Sequence, residues 1–268
     1  METSPTTKFL GKVLSRVPEV TIFFWIIKIL GTTIGETAAD FLSFNLHFGL
    51  VNTSYIMSGL LAVVLFIQFR LKRYVPGVYW LAVVMISIVG TLITDQMVEG
   101  FGISLVTTTI VFGVALIAVF IAWYLREKTL SIHSIFTARR EAFYWLAILF
   151  TFALWTAAGD LLSEWLGIGY VQAGLIFAGA IAIIAIIYYS LRQKRFNMSA
   201  IWAFWMAYIL TRPLGASLGD FLTQPVKDWG LGISTTRISP IFLIAIIGMV
   251  IYLTIKHNDR IKISQATE

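Results

Sequence analysis

The chain alternates long apolar stretches with short polar segments. A helix needs about 20 consecutive apolar residues to cross the hydrocarbon core of a membrane. Eight stretches reach that length, and they lack the alternation of short barrel strands. We therefore predict an all-α transmembrane protein. Its eight helices are expected at Val20–Phe44, Leu50–Phe69, Val78–Val98, Ile103–Leu125, Phe143–Glu164, Tyr170–Leu191, Ala200–Thr223 and Ile238–Ile255.

Basic residues are distributed unevenly between these stretches. Of the 20 Lys and Arg residues, 16 precede helix 1, follow helix 8, or lie in the connections after helices 2, 4 and 6. Since positively charged loops stay on the cytoplasmic side, both termini are predicted to be cytoplasmic. Helix 1 is longer than the apolar core of a signal peptide, so we expect it to be retained.

Composition excludes several classes of function. Hydrophobic residues make up 58% of the chain and charged residues 13%, about half the charge of a soluble domain. Such a chain is neither a water-soluble enzyme nor a nucleic-acid binder, despite its net charge of +6. Cysteine is absent, and the sequence contains no phosphate-binding loop, HExxH pair or nucleophile elbow. We expect no enzymatic activity and no resident cofactor.

One pattern recurs four times along the chain. An aromatic residue followed by Trp occurs in each odd-numbered helix, and an Asp follows each of those Trp residues fifteen positions later. The Trp residues are Trp25, Trp80, Trp145 and Trp205, and the Asp residues are Asp40, Asp95, Asp160 and Asp220. The residue before each Asp is small, which permits close helix packing.

The repeating unit is a two-helix hairpin. Because each unit contains an even number of helices, all four units share one orientation and are related by rotation about the membrane normal. We place the repeats at about 18–71, 72–126, 138–192 and 196–256. Together they form a single membrane domain, 18–256, between tails at 1–17 and 257–268.

This pattern resembles a family of bacterial integral membrane proteins, known as membrane-anchored proteins, that contain four tandem repeats of unknown function. The resemblance rests on the four Trp pairs and Asp segments and covers about residues 18–256. It implies eight helices in four repeats. It also implies location in the bacterial cytoplasmic membrane, and it supplies no activity.

Carboxylates within the predicted helices are the main candidates for function. Ionisable residues in a bilayer cost about 2.5–3.5 kcal/mol each and mark functional sites by default. If the odd helices converge, their Asp residues form an acidic cluster that selects cations, and oxygen ligands suit Mn²⁺, Mg²⁺ or Ca²⁺. The candidate metal ligands are Glu36, Asp40, Asp95, Asp160 and Asp220. A structural alternative also stands, in which the Trp residues form an interfacial belt and the Asp residues face solvated headgroups.

Other polar residues are candidates for a pathway. Arg212 lies beside Pro213, which is expected to kink or unwind helix 7, and it either acts as a gate and counter-ion or pairs permanently with Glu36 or Asp220. Lys28 is expected to extend to the cytoplasmic face, and the alternative is that it lines an inner vestibule. Polar residues that begin the even helices either bind an ion or pack between helices: Asn52, Thr107, Gln172 and Arg237.

These residues lead to three functional hypotheses. The first is a transporter of a hard divalent cation such as Mn²⁺, with proton coupling through the carboxylates. The second is a proton-coupled carrier of a small organic solute or anion that uses Arg212 and Arg237. The third is a membrane protein without transport activity. The expected partners are the lipid bilayer and a small ion or solute. No nucleic acid is expected to bind. The sequence is compatible with a homo-oligomer.

Overall fold

The fold consists of long helices. A computed structural model describes residues 15–166, 169–193, 200–226 and 230–266, and every regular element in these ranges is helical. The eight long helices are α1 Ile22–Asp40, α2 Leu50–Arg70, α3 Pro76–Asp95, α4 Leu105–Glu127, α5 Ala138–Leu166, α6 Tyr170–Gln193, α7 Ala200–Thr223 and α8 Thr235–Ala266. The prediction of an all-α protein with eight helices is confirmed.

Seven of these helices are long and apolar enough to cross a membrane. The exception is α7. At 24 residues it is long enough, but Arg212, Pro213 and Asp220 make it less apolar than the other helices. Pro213 does not interrupt α7, so the expected unwinding at this residue is wrong. Because a proline lacks an N–H, it removes one backbone hydrogen bond without ending the helix here.

The odd helices form the centre of the molecule. Helix α1 packs against α3, α3 against α5, α5 against α7, and α7 returns to α1. The even helices lie outside this ring and carry many exposed apolar side chains, such as Tyr55, Val114 and Ile186. Apolar exposure of this kind suits contact with lipid.

The two helices of one hairpin repeat do not pack mainly against each other. Helix α2 packs mainly on α3, α4 on α5, α6 on α7, and α8 on α1. The second helix of each repeat therefore covers the first helix of the next repeat, and α8 closes the circle. This arrangement makes the four repeats interdependent.

Small residues at one repeated position allow the central helices to approach. A Cβ on Gly90 of α3 would lie 2.7 Å from Phe152 Cβ of α5, and a Cβ on Gly215 of α7 would lie 2.8 Å from Thr32 of α1. The third repeat has Trp155 at this position, which packs outward on Phe177 of α6 at 5.9 Å. Accordingly, α5 and α7 pack less extensively than the other neighbours in the ring.

The amino-terminal segment belongs to the fold. Arg16 N donates to Ile135 O at 3.1 Å, and Tyr74 N donates to Ser15 O at 3.0 Å. Arg16 also forms a 2.6 Å ion pair with the fully buried Glu141. Residues 15–17, predicted as part of a tail, therefore pack across the end of the bundle where α3, α5 and α7 begin. We call this the basic end. The rest of that tail and residues 267–268 lie outside the described residues. Residues 257–266, predicted as part of the other tail, instead continue α8.

Candidate functional site

An aromatic layer fills the central bundle near the basic end. Ring centroids lie 5.5 Å apart for Phe24 and Trp80, and 6.0 Å apart for Phe24 and Phe204. Tyr79 stacks on Tyr144 at 6.4 Å, and their hydroxyls share a hydrogen bond. Contacts between Tyr144 and Trp205 of α7, at 6.2 Å, complete a layer that joins all four central helices.

The Trp residues do not form a lipid-facing belt. Trp80, Trp145 and Trp205 are each at most 3% exposed, and Trp205 Nε1 donates to Leu130 O at 3.0 Å. The expectation of an interfacial belt is therefore wrong for these three residues. Apolar area favours burial between the central helices, and Trp145 Nε1 donates to Glu141 Oε1 at 3.4 Å.

Lys28 is buried in the next layer of the bundle. Its side chain is fully buried, and Nζ lies 3.9 Å from the ring centroid of Phe152 and 4.4 Å from that of Tyr208. The prediction that Lys28 extends to the cytoplasmic face is wrong. It faces the bundle axis because Phe24, Lys28, Thr32 and Glu36 recur every four residues on one face of α1.

Arg212 connects three central helices. Its Nη2 forms an ion pair with Glu36 of α1 and donates to Thr91 Oγ1 of α3 at 2.7 Å and to Thr156 Oγ1 of α5 at 2.8 Å. Thr91 Oγ1 also donates to Glu36 at 3.3 Å. Of the two partners predicted for Arg212, Glu36 and Asp220, the described ion pair is with Glu36.

These partners of Arg212 occupy one repeated position. Glu36, Thr91 and Thr156 each lie four residues before the Asp of their repeat, and Ala216 holds that position in α7. The sequence pattern indicated the equivalence, but it did not indicate that three side chains bind one guanidinium. The sequence did contain one signal for this network: Thr91 and Thr156 carry a hydroxyl at the position where the first repeat carries the carboxylate of Glu36.

The four repeated Asp residues lie one helical turn beyond this network. Asp95 is within electrostatic reach of Asp40, Asp160 and Glu36, and Asp220 is within reach of Asp40, Asp160 and Glu36. The carboxylates therefore converge at one end of the bundle, which we call the acidic end. Asp160 is exposed, whereas Asp40, Asp95 and Asp220 are partly buried.

Two of these Asp residues directly precede a change in helix geometry. After Asp40 the chain forms a π-helical turn at Phe41–Asn45, and after Asp95 it forms another at Gln96–Gly100. A π-helical turn in a helix often marks a functional site. Both turns lie in the first two repeats, and sequence periodicity did not predict them.

The polar residues that begin the even helices lie apart from the bundle axis. Asn52, Thr107, Gln172 and Arg237 are all exposed. Asn52 Nδ2 donates locally to Phe48 O at 3.1 Å, and Thr107 Oγ1 bonds with Ser104 Oγ at 2.9 Å. These described bonds cap or brace the local helix and do not join it to the carboxylates.

A ready metal site is not visible among the described residues. In these ranges, no three Asp, Glu or His side chains are grouped closely enough to hold one ion directly. The arrangement instead provides a cluster of carboxyl groups at the acidic end, one helical turn beyond a buried ion pair.

Comparison with known proteins identifies a family. Four successive segments of the chain match the Repeat of Unknown Function (DUF347): residues 23–74, 78–129, 143–194 and 203–258. They cover most of the chain, so the protein belongs to this repeat family, as the Trp and Asp pattern predicted. No curated protein and no solved structure matches the chain.

Proposed function

We propose that this member of the DUF347 repeat family is a secondary transporter of a hard divalent cation such as Mn²⁺. The observation that carries the proposal is the convergence of Asp40, Asp95, Asp160 and Asp220 above Glu36. A cluster of carboxylates at the end of a helix bundle concentrates cations, and oxygen ligands favour Mn²⁺, Mg²⁺ or Ca²⁺ over soft metals.

The ion would first bind with part of its water shell. Small hard cations lose water reluctantly and commonly keep several water ligands beside one or two carboxylates. This mode needs no preformed group of three ligands. The partial exposure of Asp40, Asp95 and Asp220 allows water to reach the cluster from the acidic end.

The ion pair between Arg212 and Glu36 would bound the cation site on the side that faces the aromatic layer. A divalent cation that reaches Glu36 competes with the Arg212 guanidinium for the same carboxylate. Release of Arg212 would also break its hydrogen bonds to Thr91 and Thr156, which link α7 to α3 and α5. Cation binding would thus be coupled to the packing of three central helices. Protons would compete for the same carboxylates, which supplies a route to proton coupling.

The aromatic layer would block the pathway between the Arg212–Glu36 ion pair and the basic end. Tyr79 and Tyr144 are fully buried, and their rings and those of Phe24, Phe204 and Trp205 join the four helices. Translocation would require this layer to open while the acidic end closes. We place the protein in the bacterial cytoplasmic membrane with both termini inside, so the acidic end would face outward.

The test measures Mn²⁺ flux into proteoliposomes that contain the purified protein and a trapped Mn²⁺ indicator. We expect saturable flux that Asp95→Asn and Asp220→Asn each reduce at least about tenfold, since each removes a carboxyl ligand from the cluster. Glu127→Gln is the matched control, because Glu127 pairs with Arg140 outside the cluster.

Two outcomes would contradict the proposal. The first is absence of flux in protein that Mn²⁺ also fails to stabilise against heat. The second is equal flux in Asp95→Asn, Asp220→Asn and Glu127→Gln. If flux of a small carboxylate appears instead and requires Arg212, the protein is an anion or solute carrier.

A further inference from the structure

A cavity of about 810 Å³ lies on the outer side of the central helices at the basic end. Four parts of the chain form its walls: the start of α1, the end of α6, the start of α7 and the connection that joins α4 to α5. Ligand sites in proteins usually have volumes of about 300–1,000 Å³. The cavity is therefore large enough to hold a ligand.

The cavity opens toward the lipid. Helix α6 packs on α7, whereas α8 packs on α1 and α3. These two outer helices leave the groove between α7 and α1 partly uncovered at the basic end, and the cavity lies in this groove. Because α1 and α6 are long and apolar enough to cross a membrane, the opening between them faces the hydrocarbon of the bilayer. Lipid is therefore the molecule that reaches it.

The lining of the cavity is apolar at depth and polar at the basic end. Trp25 of α1 and Phe204 of α7 line it with ring centroids 5.8 Å apart, and Ile184 of α6 lines it as well. Ser131 and His133, in the connection between α4 and α5, add polar groups at the basic end. A hydrocarbon chain therefore suits the deep part of the cavity, and a polar headgroup suits its outer end.

The charge around the outer end favours an anionic headgroup. Lys128 and Arg139, both exposed, lie on either side of the connection that lines the cavity. None of the described residues that line the cavity is acidic. Of the acidic residues nearby in the chain, Glu127 is paired with Arg140, and Glu19 lines a different cavity. Basic groups at the membrane face of a site between helices attract anionic lipid headgroups.

We infer that this cavity binds one anionic phospholipid from the leaflet at the basic end. An acyl chain fills the apolar part between α1, α6 and α7, and the phosphate lies beside the connection between α4 and α5. The lipid thereby covers the part of the groove between α7 and α1 that the outer helices leave open. The site is separate from the carboxylate cluster at the acidic end and does not depend on cation transport.

Native mass spectrometry of the protein released from detergent micelles tests the inference. The micelles contain phosphatidylglycerol, which is anionic, and phosphatidylcholine, which has no net charge, with the same acyl chains and in equal amounts. We expect one phosphatidylglycerol to stay bound to each chain at collision energies that remove phosphatidylcholine. The inference is overturned if the two lipids dissociate alike, or if the chain leaves the micelle with detergent only or as a dimer without lipid.

Two pairs of variants locate the bound lipid. Ala185→Trp fills the cavity from α6 and should reduce retention of phosphatidylglycerol several-fold, whereas Ala182→Trp, at an exposed residue of α6 outside the lining, should not. Lys128→Gln should weaken retention several-fold, whereas Lys72→Gln, at an exposed lysine between α2 and α3, should not. Equal retention in the first pair would overturn the site, and equal retention in the second would overturn its preference for an anionic headgroup.

A second measurement covers poor folding of Ala185→Trp. Phosphatidylglycerol with brominated acyl chains, which quench the fluorescence of nearby indoles, is titrated into phosphatidylcholine bilayers that contain the protein. The quenching should include a saturable part that Trp25→Phe removes, because Trp25 lines the cavity. Trp202→Phe is the matched control, since Trp202 of α7 is 62% exposed and lies outside the lining, and it should keep the saturable part. The inference is overturned if no saturable quenching occurs or if Trp25→Phe retains it.

Discussion

The two halves of the central bundle are built on the same four helices but are stabilised differently. Toward the basic end, Tyr79, Tyr144 and Trp205 pack as large buried rings. Toward the acidic end, one ion pair between Arg212 and Glu36 holds the helices together below a group of carboxylates. Many small packing contacts stabilise the aromatic layer of the first half, with the Arg16–Glu141 ion pair at its outer edge, whereas charge-assisted hydrogen bonds join the helix centres in the second half.

This difference suggests how the halves respond to change. When one ring contact is lost, the many remaining contacts still hold the helices together. When one buried charge is lost, its partner stays buried without a counter-charge, which is energetically costly. The acidic half is therefore the half that a bound ion or proton can alter. Three substitutions test the comparison.

The largest effect is expected for Arg212→Met. It leaves Glu36 without its guanidinium and removes the donor to Thr91 and Thr156. Breaking a buried pair from one side costs about 3 kcal/mol of unfolding free energy. Unfolding in mixed detergent micelles measures this loss. Arg237→Met, at an exposed arginine of α8, should change the free energy by less than about 0.5 kcal/mol. Equal effects of the two would contradict a special role for the pair.

An intermediate effect is expected for Gly215→Ala, at the contact of α7 with α1. The new Cβ would lie 2.8 Å from Thr32 and 2.9 Å from Ile29 O, so the helices must separate. Overpacking of this kind costs about 2 kcal/mol. Gly59→Ala is the control, since Gly59 of α2 faces open space. Because alanine favours a helix more than glycine does, this change should stabilise the protein by about 0.5 kcal/mol. The same unfolding assay should show opposite signs, and two stabilising changes would disprove the close contact.

The smallest effect is expected for Tyr79→Phe, in the aromatic half. It removes the hydrogen bond to Tyr144 but keeps the ring, so we expect a loss of about 1 kcal/mol. Tyr55→Phe, at an exposed tyrosine of α2, should be neutral in the same assay. If Tyr79→Phe were more damaging than Arg212→Met, the two halves would not differ as described.

The large features of the fold were predictable from sequence because they follow from local patterns. Eight apolar stretches indicated eight helices, since crossing a membrane requires a minimum length. The fifteen-residue spacing from Trp25 to Asp40, repeated three more times, indicated four equivalent hairpins. Both patterns are present in single stretches of chain, and neither requires knowledge of distant contacts.

The candidate site was predictable only in part. Sequence position grouped Asp40, Asp95, Asp160 and Asp220, and the odd helices do bring them together. The position of Lys28 was mispredicted, because a lysine three residues after an interfacial Trp would normally reach water. Here Lys28 lies on the face of α1 that packs into the bundle, against the rings of Phe152 and Tyr208.

By itself, the sequence determined the helices, the repeats and the set of carboxylates, because these depend on hydrophobicity and spacing along one chain. Only the tertiary structure decided that each even helix covers the next repeat, and that α8 closes the circle on α1. It also decided that Arg212 of the fourth repeat binds Glu36 of the first. These contacts join residues far apart in the chain, and close packing of helices, rather than any local pattern, selects them.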